Sequence, residues 1–336
     1  MALTYSNCNS IRSSQRTMPV DLILGTNNVG PHGKIKTTAD LSAILDLYHS
    51  LGNKYLDTAY LYPAGYPGES ETFLGDLEVT QDGKFVLDTK VRSFEDGAHA
   101  ADQIYKSVDE QLKRLKVDKV RTLYLHAPDR TVSFEESHKA MNDLYKQGKF
   151  ERFGISNYQP DEILGFVERA KKYGWVAPCA YEGLYNIFSR RAETELLPIF
   201  RKHNIDFYAY SPLASGFFSN IKRNEPPPAG GHFDPTTFNG QFNQGWFFKD
   251  ALFTAVEELK TVGEKYGISN NAIALRWLRH HSQLSNGDAI LVGYSNLGQL
   301  KQNLEHLDQG PLPEEIVEVI DKIWDAIEAD APKAAL

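Results

Sequence analysis

The sequence predicts an α/β protein: a (β/α)8 TIM barrel with a large loop after its seventh strand and an extra helix towards its C-terminal end. Three observations carry this. Eight short apolar runs, at 20–25, 54–59, 84–91, 119–126, 150–156, 178–184, 205–210 and 289–293, are each followed by a segment of helical periodicity. No domain-scale linker interrupts the series, and 336 residues suit one such barrel. A doubly wound sheet would instead place G-x-G-x-x-G after its first strand, where this chain has "LGTNNVGPHG".

The elements follow in order. "VDLILGTN" is the first strand, and "TTADLSAILDLYHSLG" the first helix, with Ile44, Leu45, Tyr48 and Leu51 as its apolar stripe and Gly52 as its stop. "KYLDTA" is the second strand, "SETFLGDL" a short helix and "KFVLDTKV" the third strand. "AADQIYKSVDEQLKRLKV" is the clearest helix, with Ile104, Val108, Leu112 and Leu115 at three- and four-residue steps. "VRTLYLHAP" is the fourth strand, and in the helix after it Ser133 and Glu136 are spaced as a capping box. "FERFGISN" and "PCAYEGLYN" are strands five and six, separated by the helix "QPDEILGFVERAKKYG". "RRAETELLPIFRKHN" reads as one helix before the seventh strand, "IDFYAYSP". Residues 213–248 read as irregular, with prolines at 226–228. Two helices then lead to the eighth strand, "AILVGYS", which is followed by "NLGQLKQNLEHL" and by an amphipathic helix from about Pro313.

Residues 1–19 contain Arg12 and Arg16, no acid and no apolar signal core. They read as a disordered tail, with a Ser- and Arg-rich transit segment as the other reading. Residues 20–336 read as one domain. The net charge of −8 favours neither a nucleic-acid nor an anionic-membrane surface, and no apolar run reaches the length of a membrane span. Two cysteines, Cys8 and Cys179, exclude a disulfide framework and a cysteine-rich zinc site, and suit a reducing, cytoplasmic compartment. No metal-ligand spacing occurs, so no metal is expected.

In a barrel the chemistry sits at the C-terminal ends of the strands. Strand two ends at Asp57, three at Lys90, four at His126, five at Ser156 and Asn157, six near Glu182, seven at Tyr210 and Ser211, and eight at Gly293 with Ser295 beyond. Singly, each has a plain structural explanation: a helix cap, a surface charge, a satisfied core histidine. Together they aim a carboxylate, an ammonium and an imidazole at one mouth. Asp57 and Lys90 would pair and offset the cost of their burial. A charged lysine beside a tyrosine is expected to lower the phenol's pKa from about 10. The stretch "YLDTAYLYPAGYPGESE" supplies three phenols, Tyr60, Tyr62 and Tyr66, in a bend stiffened by Pro63, Gly65, Pro67 and Gly68. Such a set suits protonation of a carbonyl oxygen while hydride arrives from elsewhere.

The motifs "YLDTAYLY", "LDTK", "LYLHAPD", "GISNY" and "YAYSPLASG", in that order on successive strands, resemble the aldo-keto reductase superfamily. "ALRWLRHHSQL" and "GYSNLGQLKQNLE" look more narrowly like its aflatoxin-aldehyde reductase branch. The likeness runs from about Val20 to Asp325. It implies an NADPH-dependent reduction of a small carbonyl compound, with Tyr62 as general acid, Asp57 and Lys90 tuning it, and His126 orienting the carbonyl. It implies that Ser156 and Asn157 meet the nicotinamide carboxamide, that Glu182 stands beside the nicotinamide, and that the ring stacks on Tyr210. Gly25 and Thr26 fall beside the cofactor, and Ser211, Pro212, Leu213, Ser215 and Gly216 along its diphosphate. Gly293, Ser295, Gln299, Gln302 and Asn303 fall over the adenosine end. A homodimer is also implied.

The chain departs from the pattern in three places. Glu182 stands where glutamine is usual. The loop "GGHFDPTTFNGQFNQGWFF" and the segment "IEADAPKAAL" lack the arginines expected to hold a substrate carboxylate. Phe233, Phe238, Phe242, Trp246 and Phe247 suggest an apolar or aromatic pocket instead, or a loop packed on the barrel. The segment after strand eight lacks the basic pair often aimed at a 2′-phosphate, leaving Lys222 and Arg223 to supply that charge. Two other functions fit the fold: a cofactor-binding accessory subunit resembling the potassium-channel β-subunits, distinguished by tetramer assembly, and a Schiff-base enzyme using Lys90, distinguished by borohydride trapping.

Overall fold

The computed structural model describes residues 20–336; the segment 1–19, with Cys8, lies outside the described residues. Eight parallel strands close into a barrel in sequence order. They are β1 (Asp21–Gly25), β2 (Tyr55–Asp57), β3 (Val86–Lys90), β4 (Val120–Leu125), β5 (Phe150–Ser156), β6 (Pro178–Leu184), β7 (Asp206–Tyr210) and β8 (Ala289–Val292). Every strand lies within two residues of its predicted range. Continuous apolar runs flanked by helical periodicity specify a sheet buried on both faces, and β6 is buried along its whole length.

The outer layer is built of α1 (Thr38–Ser50), α2 (Glu69–Asp76), α3 (Ala101–Leu115), α4 (Phe134–Lys146) and α5 (Pro160–Tyr173), one after each of the first five strands. After β6 come α6 (Ala192–Glu195) and α7 (Leu197–His203). After β7 come α8 (Phe217–Asn220), α9 (Phe238–Phe247), α10 (Asp250–Tyr266) and α11 (Asn270–His280), and after β8 come α12 (Leu297–Asp308) and α13 (Glu314–Ile327).

Four local expectations are corrected. The helix predicted over 190–204 is broken at Leu196 (φ −117°), because Pro198 has no N–H with which to continue the ladder. The stretch 213–248 is not irregular throughout: the Thr237 hydroxyl accepts from Gly240 N and starts α9. Ser133 caps α4, but Glu136 does not complete a box; its carboxylate accepts the Ala101 N–H at 3.0 Å instead. The reciprocal box forms at Gln159 and Glu162 of α5. Leu51 sits beyond the last turn of α1 and is 57% exposed, outside the stripe.

Inside the barrel a small cluster of Ile23, Tyr124, Ala180, Tyr208, Ala289 and Leu291 fills the lumen. Gly154 leaves room for the Tyr124 ring there. Below it, Arg121 pairs with Asp88, Arg152 with Asp206 at 2.5 Å and Arg201 with Asp288 at 2.6 Å, so the lower end is closed by partnered charges. The polar residues at the upper end are thereby held on a rigid floor.

The α2–α3 contact fixes one wall of that floor. Glu71 of α2 is fully buried and accepts from Thr89 (2.8 Å), Gln111 (2.7 Å) and the Arg114 guanidinium (2.9 and 2.7 Å). Gln111 also donates to the Lys90 carbonyl at 2.9 Å, so this network seats the end of β3. The two helices approach at Gly75, where a Cβ would overlap the Arg114 carbonyl oxygen. Gly75→Ala is expected to cost about 1–3 kcal/mol of stability, read as a lower urea midpoint with an unchanged slope.

Candidate active site

The strand ends bring Asp57, Lys90, His126 and Glu182 together with Tyr62 from the bend after β2. Lys90 donates to the Asp57 carboxylate and, at 3.0 Å, to the Thr58 carbonyl; its Nζ lies 3.2 Å from Glu182 Oε2. All three side chains are 3% exposed or less. Two acids thus face one buried cation. Burial alone would discharge Lys90, but the Asp57 and Glu182 carboxyls outweigh it and hold the ammonium above its ordinary range. Burial raises Asp57, although Lys90 opposes it, and raises Glu182 well above the carboxylate range with help from the Asp57 charge.

The Tyr62 phenol is not lowered as the sequence suggested. Burial, the largest influence, raises it above its usual value, and the Lys90 cation recovers only part of that rise. Lys90 Nζ lies 5.1 Å from the ring centroid. The phenol therefore stays protonated and ready to donate. Its ring meets His126 edge-on at 5.8 Å, and Phe94 contacts the imidazole from another side at 5.2 Å. Burial and the neighbouring Lys90 charge hold His126 well below its ordinary pKa, so the imidazole is neutral; its Nδ1 is buried without a partner.

The Pro/Gly bend pins Tyr62 at both ends of its peptide. Its N–H donates to Ala59 O at 3.1 Å, its carbonyl accepts from Ser70 N at 3.1 Å, and the Tyr62–Pro63 bond is cis. The other tyrosines of this stretch turn away. Tyr55 lies under the Arg121 guanidinium, Tyr60 under Arg114, and Tyr66 stacks on His32 at 3.7 Å.

Asn157 ties the ends of three strands together. It donates to the His126 carbonyl at 3.0 Å and to Ser156 Oγ at 2.9 Å, and accepts from Tyr210 OH at 2.8 Å. Leu336 N donates to the Asn157 carbonyl at 3.1 Å. Ser211, Ala214, Ser215 and Gly216 all have φ between 48° and 92°, folding the chain tightly along the rim after β7.

These residues line a cavity of about 340 Å³, which Tyr62 and His126 share with Ser295 and Gln299 beside the start of α12. Asp57, Ser156, Asn157, Glu182 and Tyr210 line its floor, Ser211 to Leu213 with Ser215 and Gly216 one side, and Gly25 and Gly293 the other. Lys90 stands behind Asp57, outside the lining. Thr26 donates to the Asp57 carbonyl at 2.8 Å and Asn303 to the Gly293 carbonyl at 3.0 Å, so both brace lining strands from behind. Gln302 is not a lining residue. Lys222 and Arg223 do not reach the cavity: Lys222 pairs with Glu225 at 3.2 Å, and Arg223 with Asp250 at 2.9 Å. No lysine or arginine lines it among the described residues.

The aromatic residues of the loop after β7 divide. Phe242 and Trp246 line the cavity, whereas Phe233 and Phe247 are buried in the core; the Phe238 side chain lies outside the described residues. The lining also includes Asn27, Asn28, Phe94, His232, Asn239, Asn243, Asn271 and Leu336, which the sequence reading missed. Asn27 and Asn28 follow β1 directly, so the strand-end rule could have found them. Phe94 follows β3, Asn239 and Asn243 lie in α9 and Asn271 in α11, while His232 and Leu336 arrive on distant loops with no local signal.

The lining fits a nicotinamide dinucleotide. Glu182 Oε1 and Asn271 Oδ1 are buried without partners, as expected of atoms that meet a ligand's polar groups. The Asn157 amide, the Ser156 hydroxyl and the Tyr210 ring stand together at the cavity, groups of the kind that could hold a flat, carboxamide-bearing ring. Among the described residues, no group of three or more His, Cys, Asp or Glu is arranged to hold a metal ion. None of the described helices is long and apolar enough to cross a membrane.

A family model described as the aldo/keto reductase family matches residues 21–325. The chain is 35% identical to "Oxidoreductase sirO" of Leptosphaeria maculans, over 94% of this chain and 97% of that one. It is 35% identical to "Aldo-keto reductase pigE" of Monascus ruber, over 92% and 95%. It is 33% identical to human "Aflatoxin B1 aldehyde reductase member 4", over 96% and 98%.

Proposed function

This chain belongs to the aldo/keto reductase family, and on that premise we propose that it is an NADPH-dependent reductase turning an aldehyde or ketone into an alcohol, with Tyr62 as the general acid. The observation that carries this reading is a phenol, backed by a buried lysine, standing edge-on to an imidazole at a cavity that Asp57, Glu182 and Tyr210 also line. When bound, the cofactor would supply hydride. Ser156, Asn157, Glu182 and Tyr210 would hold its nicotinamide end, Ser211 to Gly216 its diphosphate, and Gly293, Ser295 and Gln299 its adenosine end.

The chain's own side chains supply the rest. Neutral His126 positions the carbonyl oxygen without competing for its proton. Tyr62 gives its proton to that oxygen as negative charge develops there, and Lys90 stabilises the phenolate left behind. Asp57 keeps Lys90 charged and oriented. Phe94, Phe242 and Trp246 wall the space in front, which favours an apolar or aromatic carbonyl compound.

Steady-state kinetics on aromatic, aliphatic and carboxylated aldehydes, with NADPH and NADH, test this. Aromatic aldehydes should exceed carboxylated ones in kcat/KM by at least tenfold or so, because no lining cation offsets the desolvation of a carboxylate. NADPH should exceed NADH by only about tenfold. Without lysine or arginine the 2′-phosphate meets neutral hydrogen bonds, each worth about 0.5–1.5 kcal/mol. Absence of reduction across the panel with both cofactors would refute the reading.

A further inference from the structure

The floor holds one more acid than this chemistry uses. Asp57 already pairs with Lys90, and β6 adds Glu182 from across the barrel. Glu182 Oε2 lies 3.2 Å from Lys90 Nζ, while Oε1 is buried without a hydrogen-bond partner, and the residue lines the cavity. The groups facing Glu182 are Asp57 from β2, Tyr62 from the bend after it, Asp88 and Lys90 from β3, Tyr124 from β4 and Tyr210 from β7. Asp88 is already neutralised by Arg121. That leaves two carboxyls on one ammonium, a buried net charge of −1 that a single shared proton removes. One proton on the pair meets that requirement, and burial together with the Asp57 charge favours Glu182 as its holder.

We propose that Glu182 is a redox-linked proton site: a neutral acid when the cavity is empty or holds the reduced cofactor, ionised when the oxidised cofactor is bound. This rests on the reading of the cavity as a nicotinamide-cofactor site. The two cofactor forms differ by one hydride, and the oxidised nicotinamide ring carries a positive charge that the reduced ring lacks. Their phosphates are the same. The added charge therefore falls at the nicotinamide end of the cavity, where Glu182 stands, and favours its carboxylate.

The proton balance of reduction closes on this residue. Hydride goes to the carbonyl carbon. The Tyr62 O–H bond breaks, its proton goes to the carbonyl oxygen, and the alcohol forms, leaving a phenolate. Lys90, whose Nζ lies 5.1 Å from the Tyr62 ring centroid and 3.2 Å from Glu182 Oε2, gives a proton to the phenolate and takes one from Glu182. The phenol is restored and Glu182 is left ionised opposite the cationic ring. When the oxidised cofactor leaves, Glu182 takes a proton from solvent, so one proton is consumed per turnover.

Calorimetric titration of the intact chain with NADP+ and with NADPH, each in two buffers of different ionisation enthalpy, counts the protons released. NADP+ should release up to about one proton more than NADPH near pH 7, and Glu182→Gln should abolish the difference. Infrared difference spectra should show loss of a protonated-carboxyl band with NADP+ in the wild type and none in E182Q. Equal release by the two forms in the wild type overturns the proposal and leaves the cofactor reading standing. A difference that persists undiminished in E182Q also overturns it, because another group would then be the source. If neither form binds, the cofactor reading falls and the proposal with it.

Discussion

Tyr62→Phe is expected to lower kcat for carbonyl reduction by about two to four orders of magnitude, the usual range for a lost general acid, while NADPH affinity stays within a few-fold. The substitution removes one oxygen. The ring keeps its edge contact with His126 and its place near Lys90, so the floor should not rearrange. Single-turnover kinetics with pre-bound NADPH isolate the chemical step, and cofactor fluorescence reports binding separately. Unchanged turnover with cofactor bound would take Tyr62 out of the mechanism. Because burial holds the phenol above its ordinary pKa, no loss of the acid form is expected in the wild type anywhere in the neutral range.

Lys90→Met should be the most damaging single change to the fold of the floor. It leaves the Asp57 and Glu182 carboxyls buried with no cation between them, at a cost of about 3–5 kcal/mol. Chemical denaturation would read this as a lower midpoint. The deficit should depend on pH with a definite sign. Without Lys90 both carboxyls titrate higher in the folded than in the unfolded chain, so the folded state binds more protons. Stability is then greatest in acid, below the unfolded carboxylate values near 4, and is lost as pH rises through the raised folded values. A second substitution, Asp57→Asn, should recover part of the loss by removing one of the two stranded carboxyls. A K90M protein as stable as wild type at neutral pH would show that the triad is not the buried charge cluster described here.

Much of this was legible in the residues because strand ends are. Each apolar run stops where a polar residue begins, so Asp57, Lys90, His126 and Asn157 could be placed on one rim by counting runs. Tyr62 was different. It stands five residues past Asp57 in a proline-rich bend, and three phenols there were equivalent until the resemblance singled one out. The direction of its pKa was missed because sequence shows that a lysine is near but not how far the half-buried phenol is desolvated, and desolvation dominates. Glycines at 240 and 245 hid α9, since they dilute the helical signal without preventing a capped helix from forming. Lys222 and Arg223, expected to supply charge to the cofactor, pair with Glu225 and Asp250 and stand outside the lining. His232 and Leu336 belong to the lining only through loop paths that no local pattern encodes.

The helix that carries Phe242 and Trp246 is supported mainly from within its own loop. Asn243 donates to the His232 carbonyl at 2.8 Å, Gln244 to the Phe233 carbonyl at 2.7 Å, and Thr237 caps the first turn. None of the hydrogen bonds that seat Asp57, Tyr62, Lys90 or His126 passes through it. What is recognised and what is done to it thus have separate foundations, and they face different pressures during descent. Replacements in the loop can accumulate without disturbing the proton machinery, whereas almost any replacement in the floor is paid for at once. Gene copies of this chain should therefore part company in the molecules they accept long before they part company in chemistry.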